Sequence, residues 1–338
     1  MLVETSPREF PMPRIAAMAR LAEQLGFDGV TCSEVRQDPF VVAAVVAAAT
    51  ERVQIATSVA IAFPRSPMVV ACATHNLQEL SGGRFTVGLG TQVRGHITRR
   101  FSTVWDSPGP RLREYVESLR AIWECWRTGG PLDYQGRFYQ FTLMTPEFSL
   151  GPTPHPLRVD LAAINPYNLE TTAMLARGLR VHGFNTAEYL RDVIWPAVEA
   201  GAEKGGRSLD DFEMIGGGFV ASGPNEEAVH KAREEMRRRV AFYGSTPAYA
   251  PIFAHHGWND LGPALRRLIA QGRWGDLHTL ISDDVLDHFC MAGTYETIAD
   301  RVRERLGGLV DRISLGLPEN AAEHADALGR AIESLRAI

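Results

Sequence analysis

The stretch "GRFTVGLGTQVRGH", residues 83–96, places two closely spaced glycines ahead of a titratable side chain. Gly88 and Gly90 would bring bare main chain close to a ligand at the end of a buried strand, and His96 lies on the loop that follows. A dinucleotide fingerprint needs a third glycine opening a helix, but Val93 stands close behind the G-x-G pair, so that interpretation fails. The glycines therefore indicate close approach of some other ligand, or bending of the strand.

Three arginines follow on the same loop, at Arg94, Arg99 and Arg100. The planar guanidinium group suits carboxylate and phosphate geometry, so these residues are candidates for attracting an anionic cofactor tail or an acidic substrate. The alternative is an ordinary solvated loop, because most arginines are exposed.

Other residue types that bind metals form no recognisable pattern. His255 and His256 are adjacent, and neighbouring positions on a helix diverge by about 100°, so one helix cannot point both at the same ion. The cysteines are far apart and contain no C-x-x-C pair, which indicates small core residues. They are Cys32, Cys72, Cys125 and Cys290. We expect no metal site.

Composition limits the class of protein. The chain has 338 residues, of which 45% are hydrophobic, enough for a large core. A net charge of −5, dispersed along the chain, gives no basic field for nucleic acid. No apolar stretch reaches the roughly 20 residues that a membrane span needs, and the N-terminus does not resemble a leader. We expect a cytoplasmic protein without nucleic-acid or membrane partners.

Strand-like and helix-like segments alternate along the chain. Ile15 to Leu25 has helical spacing and stops at Gly26, and Ser66 with Pro67 opens a helix that ends at Gly82. The strand-like segments between helices are "DGVTCSEV", "RVQIATSVAIAF", "RFTVGLG", "LRVDLAAI", "LRVHGF", "FEMIGGGFVAS" and "DRISLGL", and "LDYQGRFYQF" is typical of a hairpin. We count eight β/α units.

Eight such units without a change in composition favour a single α/β domain, a closed (β/α)₈ barrel (TIM barrel). A doubly wound sheet is the alternative. Three stretches exceed ordinary loop length: 91–110, 129–156 and 242–274. In a barrel, insertions that follow strands surround the carboxyl-terminal mouth, where chemistry takes place.

Several blocks resemble the bacterial luciferase-like superfamily. They include "GFDGV", "SEVRQDPF", "TERVQIATSVAIAFPRSP", "ATHNLQELSGGRFTVGLGTQV" and "HGFNTAEYL". The superfamily contains flavin monooxygenases and oxidoreductases that use the deazaflavin coenzyme F-420. The block "AFYGSTPAY", together with "HGW", is similar to the deazaflavin-dependent subgroup.

The resemblance implies a tricyclic ring lying across the mouth of the barrel. Gly88 and Gly90 would let the fourth strand approach the edge of this ring, where side chains would push it away. The superfamily also has a non-proline cis peptide at the close of the third strand, in a bulge behind the ring. The matching residues are Ser58 and Val59.

The resemblance also implies roles for residues around the ring. Glu34 stands where the family has an acidic residue near the polar edge of the ring, and Gln92 would hydrogen-bond the pyrimidine edge or the substrate. Many relatives carry a histidine at the position that Val35 occupies here, and some carry a catalytic glutamate at the position of Thr91. In this chain, Thr91 would contact the cofactor instead. His96 is then the nearest titratable substitute as proton donor.

Phosphate recognition would fall to the loop after the fifth strand, because helix N-termini bind anions. This loop and its helix supply the candidate contacts Asn165, Thr171, Thr172, Ala173, Met174 and Arg177. Relatives have an aspartate where this chain has Arg177. The arginine either adds a positive charge near the phosphate or the cofactor tail, or it indicates that cofactor binding differs in this chain. Without a ligand, Asn165 and the threonines would simply be helix-capping residues.

These observations predict an oxidoreductase that moves a hydride between coenzyme F-420 and a small organic substrate, in the reductive direction. One alternative is a monooxygenase using reduced FMN and oxygen on the same fold. Another is a barrel that binds flavin without catalysis. Family members often form dimers, so the resemblance is compatible with a homodimer, and the sequence leaves the oligomeric state open.

Overall fold

The computed structural model describes residues 1–338, and its centre is a closed ring of parallel strands. The ring contains β1 (Leu2–Thr5), β2 (Gly29–Cys32), β3 (Gln54–Thr57), β4 (Phe85–Gly90), β5 (Val159–Leu161), β6 (Gly178–Val181), β7 (Glu213–Gly216) and β8 (Arg312–Ser314). Each strand pairs with the next along the chain, and β8 pairs with β1. The predicted (β/α)₈ barrel is confirmed, and the doubly wound alternative is wrong because a doubly wound sheet would leave two open edges.

Helices surround this ring. They are α1 (Ile15–Gln24), α2 (Pro39–Ala49), α3 (Pro67–Ser81), α4 (Arg94–Arg99), α5 (Pro108–Thr128), α6 (Pro166–Leu175), α7 (Ala187–Tyr189), α8 (Trp195–Gly205), α9 (Glu226–Gly244), α10 (Ala250–His255), α11 (Leu261–Ala270), α12 (Asp283–Phe289), α13 (Ile298–Leu306) and α14 (Ala325–Arg336). The predicted caps of α3 are confirmed: Ser66 Oγ accepts the Met68 N–H at 3.3 Å, and Gly82 is left-handed at φ 63°. None of these helices is both long and apolar enough to cross a bilayer.

One predicted strand is two strands. "FEMIGGGFVAS" contains β7 and then a second strand, Phe219–Gly223, which pairs in parallel with Cys290–Thr294 outside the barrel. The extended conformation is interrupted between the two strands because Gly216 and Gly217 have φ angles of 99° and 118°, which only glycine adopts readily. Along the chain, the helices α9 to α12 therefore connect the two strands of this small accessory sheet.

The long segment 129–156 follows a helix, not a strand, so it leaves the barrel at its amino-terminal end. Its hairpin strands, Tyr134–Gln135 and Gln140–Phe141, are antiparallel, as predicted. The hairpin packs back along α5: the Phe138 N–H donates to Glu114 at 2.7 Å, and Arg111 in the first turn donates to Tyr139 Oη at 3.0 Å. Since α5 begins at the mouth, the tip of this insertion returns toward it.

The interior of the barrel at its amino-terminal end is charged and closed. Arg180 Nε donates to Asp160 at 3.0 Å, and its Nη1 donates to Glu4 at 3.3 Å. Arg312 on β8 donates to Glu213 on the neighbouring strand β7 at 3.3 Å. The cavity among these groups measures about 10 Å³, so this end is a packed ionic core.

Candidate active site at the barrel mouth

The third strand bulges where it reaches the mouth. Ala56 pairs with Thr86, but Ala60 pairs with Leu89, so the register against β4 changes by one residue over this interval. The extra residue lies in a bulge that contains the Ser58–Val59 peptide bond, which is cis as the resemblance implied. Both residues are half-buried, so the bulge forms part of the exposed wall of the mouth.

Thr57 compensates for the hydrogen bonds that the bulge removes. Its Oγ1 donates to the Gly88 carbonyl oxygen at 2.7 Å and accepts the Gly88 N–H at 2.8 Å. A Cβ at Gly88 would collide with the Thr57 carbonyl oxygen and lie 3.0 Å from Arg180 Cδ. In this structure, Gly88 therefore makes room for the adjacent strand and the ionic core, and its contact with the edge of a ring stays a prediction.

Gly90 lies one step further toward the mouth, against the bulge. A Cβ there would be 2.8 Å from Val59 Cγ2 and 3.6 Å from Ala162 Cβ. The absence of a side chain at Gly90 thus makes room for Val59. Contact of Val59 and Gly90 with a cofactor stays a prediction.

Glu34 anchors the far side of the same bulge. Its Oε2 accepts the Ile61 N–H at 2.7 Å, and both carboxylate oxygens accept from Arg65 at 2.8 and 2.9 Å. Arg65 also reaches Asp38, the cap of α2, at 2.7 Å. The Glu34 side chain is only 7% exposed, so its contacts describe a residue that positions the bulge, and a catalytic role stays a prediction.

The loop after β4 presents its predicted residues to solvent. Gln92 is exposed with φ 57°, and its Oε1 accepts the Val93 N–H at 2.9 Å, just before α4 begins. Thr91 Oγ1 donates to the Gln92 carbonyl at 3.1 Å, and His96 is exposed on α4. Arg100 joins this loop to the mouth by donating to the Val35 carbonyl at 2.9 Å.

The predicted phosphate contacts in α6 are turned into the protein. Asn165 caps the helix by accepting the Asn168 N–H at 2.9 Å. The Thr171 and Thr172 hydroxyls donate to the carbonyls of Tyr167 and Asn168, and both side chains are at most 1% exposed. Both threonines are therefore buried inside the helix packing, and their contact with a phosphate stays a prediction; Asn165 lies at the start of the helix.

The remaining three predicted phosphate contacts are at the wrong end of the barrel. Ala173 is fully buried, and Met174 packs against Gly205 at the end of α8. Arg177 immediately precedes β6 and donates to Glu213 at 2.6 Å beside the ionic core. Since α6 runs from the mouth toward the amino-terminal end, residues of its last turn cannot reach a ligand at the mouth.

Sequence reasoning missed a cavity of about 300 Å³ between the loops after β1 and β2 and the last turns of α9. Its lining residues are Arg8, Glu9, Val35, Arg36, Glu235, Arg238, Arg239, Phe242 and Tyr243. Glu9 and Glu235 pair with Arg8 and Arg239, while Arg36 and Arg238 are exposed and form no ion pair. The cavity combines an apolar wall with excess positive charge, which suits an organic anion.

Sequence reasoning also missed several polar side chains that are buried at strand ends without a hydrogen-bond partner. They are Ser6 after β1, Ser33 after β2 and Asn185 after β6. Asn185 is 1% exposed, yet neither end of its amide is paired. Buried amides almost always have partners, so these groups are candidates to hydrogen-bond a ligand. Their position directly after barrel strands was a signal available from the sequence.

His182, the first residue after β6, is another group that the sequence did not single out. Its Nδ1 accepts the Phe184 N–H at 3.0 Å, so the neutral ring carries its hydrogen on Nε2. The ring lies 4.4 Å from that of Tyr243 and 5.0 Å from that of Tyr249, centre to centre. Burial, and secondarily the nearby charge of Arg8, lower the pKa of His182 to about 4. His182 is thus a neutral hydrogen-bond donor beside the cavity.

The chain is similar to known proteins along most of its length. The family model described as luciferase-like monooxygenase matches residues 2–312. The chain belongs to this family. The uncharacterized protein Rv1360 of Mycobacterium tuberculosis is 39% identical over 326 residues, covering 96% of this chain and 95% of that protein.

Two further similarities concern named enzymes. The 5,10-methylenetetrahydromethanopterin reductase of Archaeoglobus fulgidus is 27% identical over 308 residues, which is 88% of each chain. The solved structure of the coenzyme F420-dependent tetrahydromethanopterin reductase of Methanopyrus kandleri has a TM-score of 0.78 at 20% identity, covering 98% of this chain and 97% of that one. This structural similarity shows that the fold is common to both.

Proposed function

We propose that the protein is a coenzyme F-420-dependent oxidoreductase that transfers a hydride between the deazaflavin and a small, anionic organic substrate, in the reductive direction. The similarity to the Archaeoglobus reductase over most of both chains supports the reaction class. The excess of arginine over carboxylate in the mouth cavity supports the anionic substrate and also suits an anionic cofactor.

The residues at the mouth fit such a cofactor. The unpaired groups of Ser6, Ser33 and Asn185 are donors and acceptors of the kind that the polar edge of a heterocycle needs. Ser58, Val59 and Gly90 would form the wall against which a ring rests, and Thr57 and Glu34 hold that wall in place. When bound, a deazaflavin supplies the carbon that gives or accepts the hydride; the protein supplies position and exclusion of water.

His182 has a defined part in this proposal. Because Nδ1 is occupied by the Phe184 N–H, Nε2 can only donate, and a donor beside the cavity can hold a substrate oxygen in place. Arg36 and Arg238 would bind the anionic group of the substrate or of the cofactor tail.

Titration of the purified protein with oxidised coenzyme F-420, and separately with FMN, tests the cofactor. We expect saturable quenching of the deazaflavin fluorescence and weaker binding of FMN. Tight FMN binding without deazaflavin binding contradicts the proposal, and oxygen consumption with reduced FMN would then identify a monooxygenase. Binding without turnover of any substrate would favour the non-catalytic barrel.

The variants His182→Asn and His96→Asn distinguish two candidates for interaction with substrate. We expect the first to reduce kcat by about 10²-fold or more, as loss of a positioned donor does, and the second to have little effect. The opposite ranking would return the proton-donor role to His96.

A further inference from the structure

Three side chains that can bind metals meet beside the mouth, outside the arginine-lined cavity. Glu188 belongs to α7, His256 is the C-cap residue that directly follows α10, and His288 lies in the last turn of α12. Each offers a ligand atom, and the three atoms lie within 4.8 Å of one another. None of the three lines the cavity described above.

We propose that Glu188, His256 and His288 form a binding site for a divalent transition-metal ion of the zinc class. Two imidazoles and one carboxylate are a common three-ligand set for Zn²⁺, with the fourth position left to water or another small ligand. The sequence suggested no metal because it shows only the adjacent pair His255 and His256. The fold separates that pair: His255 Nε2 contacts Asp192 at 3.1 Å, whereas His256 turns toward His288.

The distances are close to those that a metal requires. Zinc bonds to nitrogen and oxygen of about 2.0–2.2 Å place tetrahedral ligands roughly 3.4 Å apart. His288 Nδ1 and Glu188 Oε1 are already 3.2 Å apart, and the third ligand must move inward by on the order of 1 Å. Side-chain rotation of half-buried residues on three separate elements permits this movement.

The surroundings hold these ligands in place. His256 Nε2 lies 2.9 Å from Thr186 Oγ1, and its ring stacks on Trp258 at 4.4 Å with an interplanar angle of 12°. Trp258 also packs edge-on against His288, at 5.2 Å. Partners of this kind orient metal-binding histidines.

A metal here would tie α10 and α12 to the segment that follows β6. That segment carries His182 and Asn185, so the ion would fix the two helices against one wall of the mouth. The site does not depend on the proposed reaction, and its test uses binding and spectroscopy instead of activity.

The test is calorimetric titration of the EDTA-treated, full-length protein with Zn²⁺, with Mg²⁺ as a comparison. We expect one Zn²⁺ per chain and no comparable binding of Mg²⁺, which prefers oxygen ligands. Co²⁺ should give the intense visible absorption of a four-coordinate site, and Zn²⁺ should change the fluorescence of Trp258, which stacks on a ligand.

Variants locate the binding. His256→Ala with His288→Ala should abolish the one-to-one binding, and Glu188→Gln should weaken it by about tenfold or more. His324→Ala, at a half-buried histidine outside the cluster, is the matched control and should leave it unchanged. Absence of one-to-one binding in the wild type, a six-coordinate Co²⁺ spectrum, or binding that survives in the double variant would each overturn the proposal. The spectrum of the wild type remains decisive if the double variant does not fold.

Discussion

Arginines lie at both ends of the barrel, but the two ends differ in how many carboxylates neutralise the arginine charges. At the amino-terminal end, Arg177, Arg180 and Arg312 face as many carboxylates, those of Glu4, Asp160 and Glu213. At the mouth, four arginines share the cavity with only two glutamates, and Arg36 and Arg238 form no ion pair.

The difference follows from exposure to water. Arg180 and Arg312 are 6% and 3% exposed, and an unpaired charge at that depth would lose its hydration without compensation. The mouth arginines keep contact with solvent, so their excess charge costs little in the folded protein and remains available to a ligand. One end of the barrel therefore serves stability, and the other is able to serve binding.

The largest effect should come from breaking the ionic core. Arg180→Met leaves Asp160 and Glu4 buried without their partner, which we expect to lower the free energy of unfolding by about 3–5 kcal/mol. Urea denaturation measures it. Arg238→Met at the mouth is the matched control and should change stability by no more than about 0.5 kcal/mol. Equal losses in the two variants would contradict the comparison.

The next effect concerns pH at the mouth. His182 has a pKa of about 4 when folded and an ordinary value near 6.5 when unfolded, so the unfolded chain binds the proton first. Stability should be complete above about pH 6.5 and should fall between about pH 6.5 and 4, by at most about 3 kcal/mol. Chemical denaturation of the wild type and of His182→Gln across this range measures the contribution. Parallel profiles for the two proteins would contradict it.

Alanine substitutions distinguish the roles of the two glycines on the fourth strand, beginning with Gly88→Ala. Because the new methyl group would collide with the Thr57 carbonyl, we expect a loss of about 1–3 kcal/mol in the free energy of unfolding. Gly90→Ala meets only the movable Val59 side chain and should cost less, while weakening binding of the deazaflavin more. Thermal and urea denaturation, together with cofactor titration, compare them. The reverse ranking would favour Gly88 as the glycine that contacts the ring.

Thr57→Val tests the support of the bulge. It leaves the Gly88 N–H and carbonyl without the hydroxyl that satisfies both, which should cost about 1–2 kcal/mol. Thr57→Ser keeps the hydroxyl and should recover most of this loss in the same denaturation experiment. If the serine variant is as unstable as the valine variant, packing of the methyl group is the cause instead.

The smallest effect on stability, and a large one on binding, should come from Arg36→Gln with Arg238→Gln. We expect stability to change by less than about 0.5 kcal/mol. Affinity for an anionic ligand should fall about tenfold or more, with a weaker dependence on salt, because two exposed charges are removed. Fluorescence titration with coenzyme F-420 at several ionic strengths measures it. Unchanged affinity and salt dependence would remove these arginines from the site.

The prediction from sequence was accurate where the signal was local. The caps of α3 and the hairpin after α5 follow from single residues such as Ser66 and Gly82, which act on their immediate neighbours. It missed contacts whose partner was distant in sequence. Gly88 was assigned to a ligand, yet its neighbours are Thr57 and Arg180, and Arg177 was assigned to a phosphate although it faces Glu213.

Position along a strand explains the missed residues. His182 and Asn185 follow β6 directly, whereas Arg177 precedes it, and only the direction of the strand distinguishes the mouth from the closed end. Counting from each strand end would have favoured the first two and excluded the third. Partner groups such as His256 and His288 lie 32 positions apart, beyond any periodic signal.

The amino-acid sequence by itself determined the alternation of strands and helices, and with it the parallel barrel, because periodicity and capping act over a few neighbouring residues. It also supplied the segments around the bulge that resemble a known family. Only the tertiary structure decided which charges are paired, which glycines make room for protein, and which histidines meet. Those outcomes depend on contacts between strands and helices far apart in the chain, where burial makes an unpaired charge costly and a single Cβ too large.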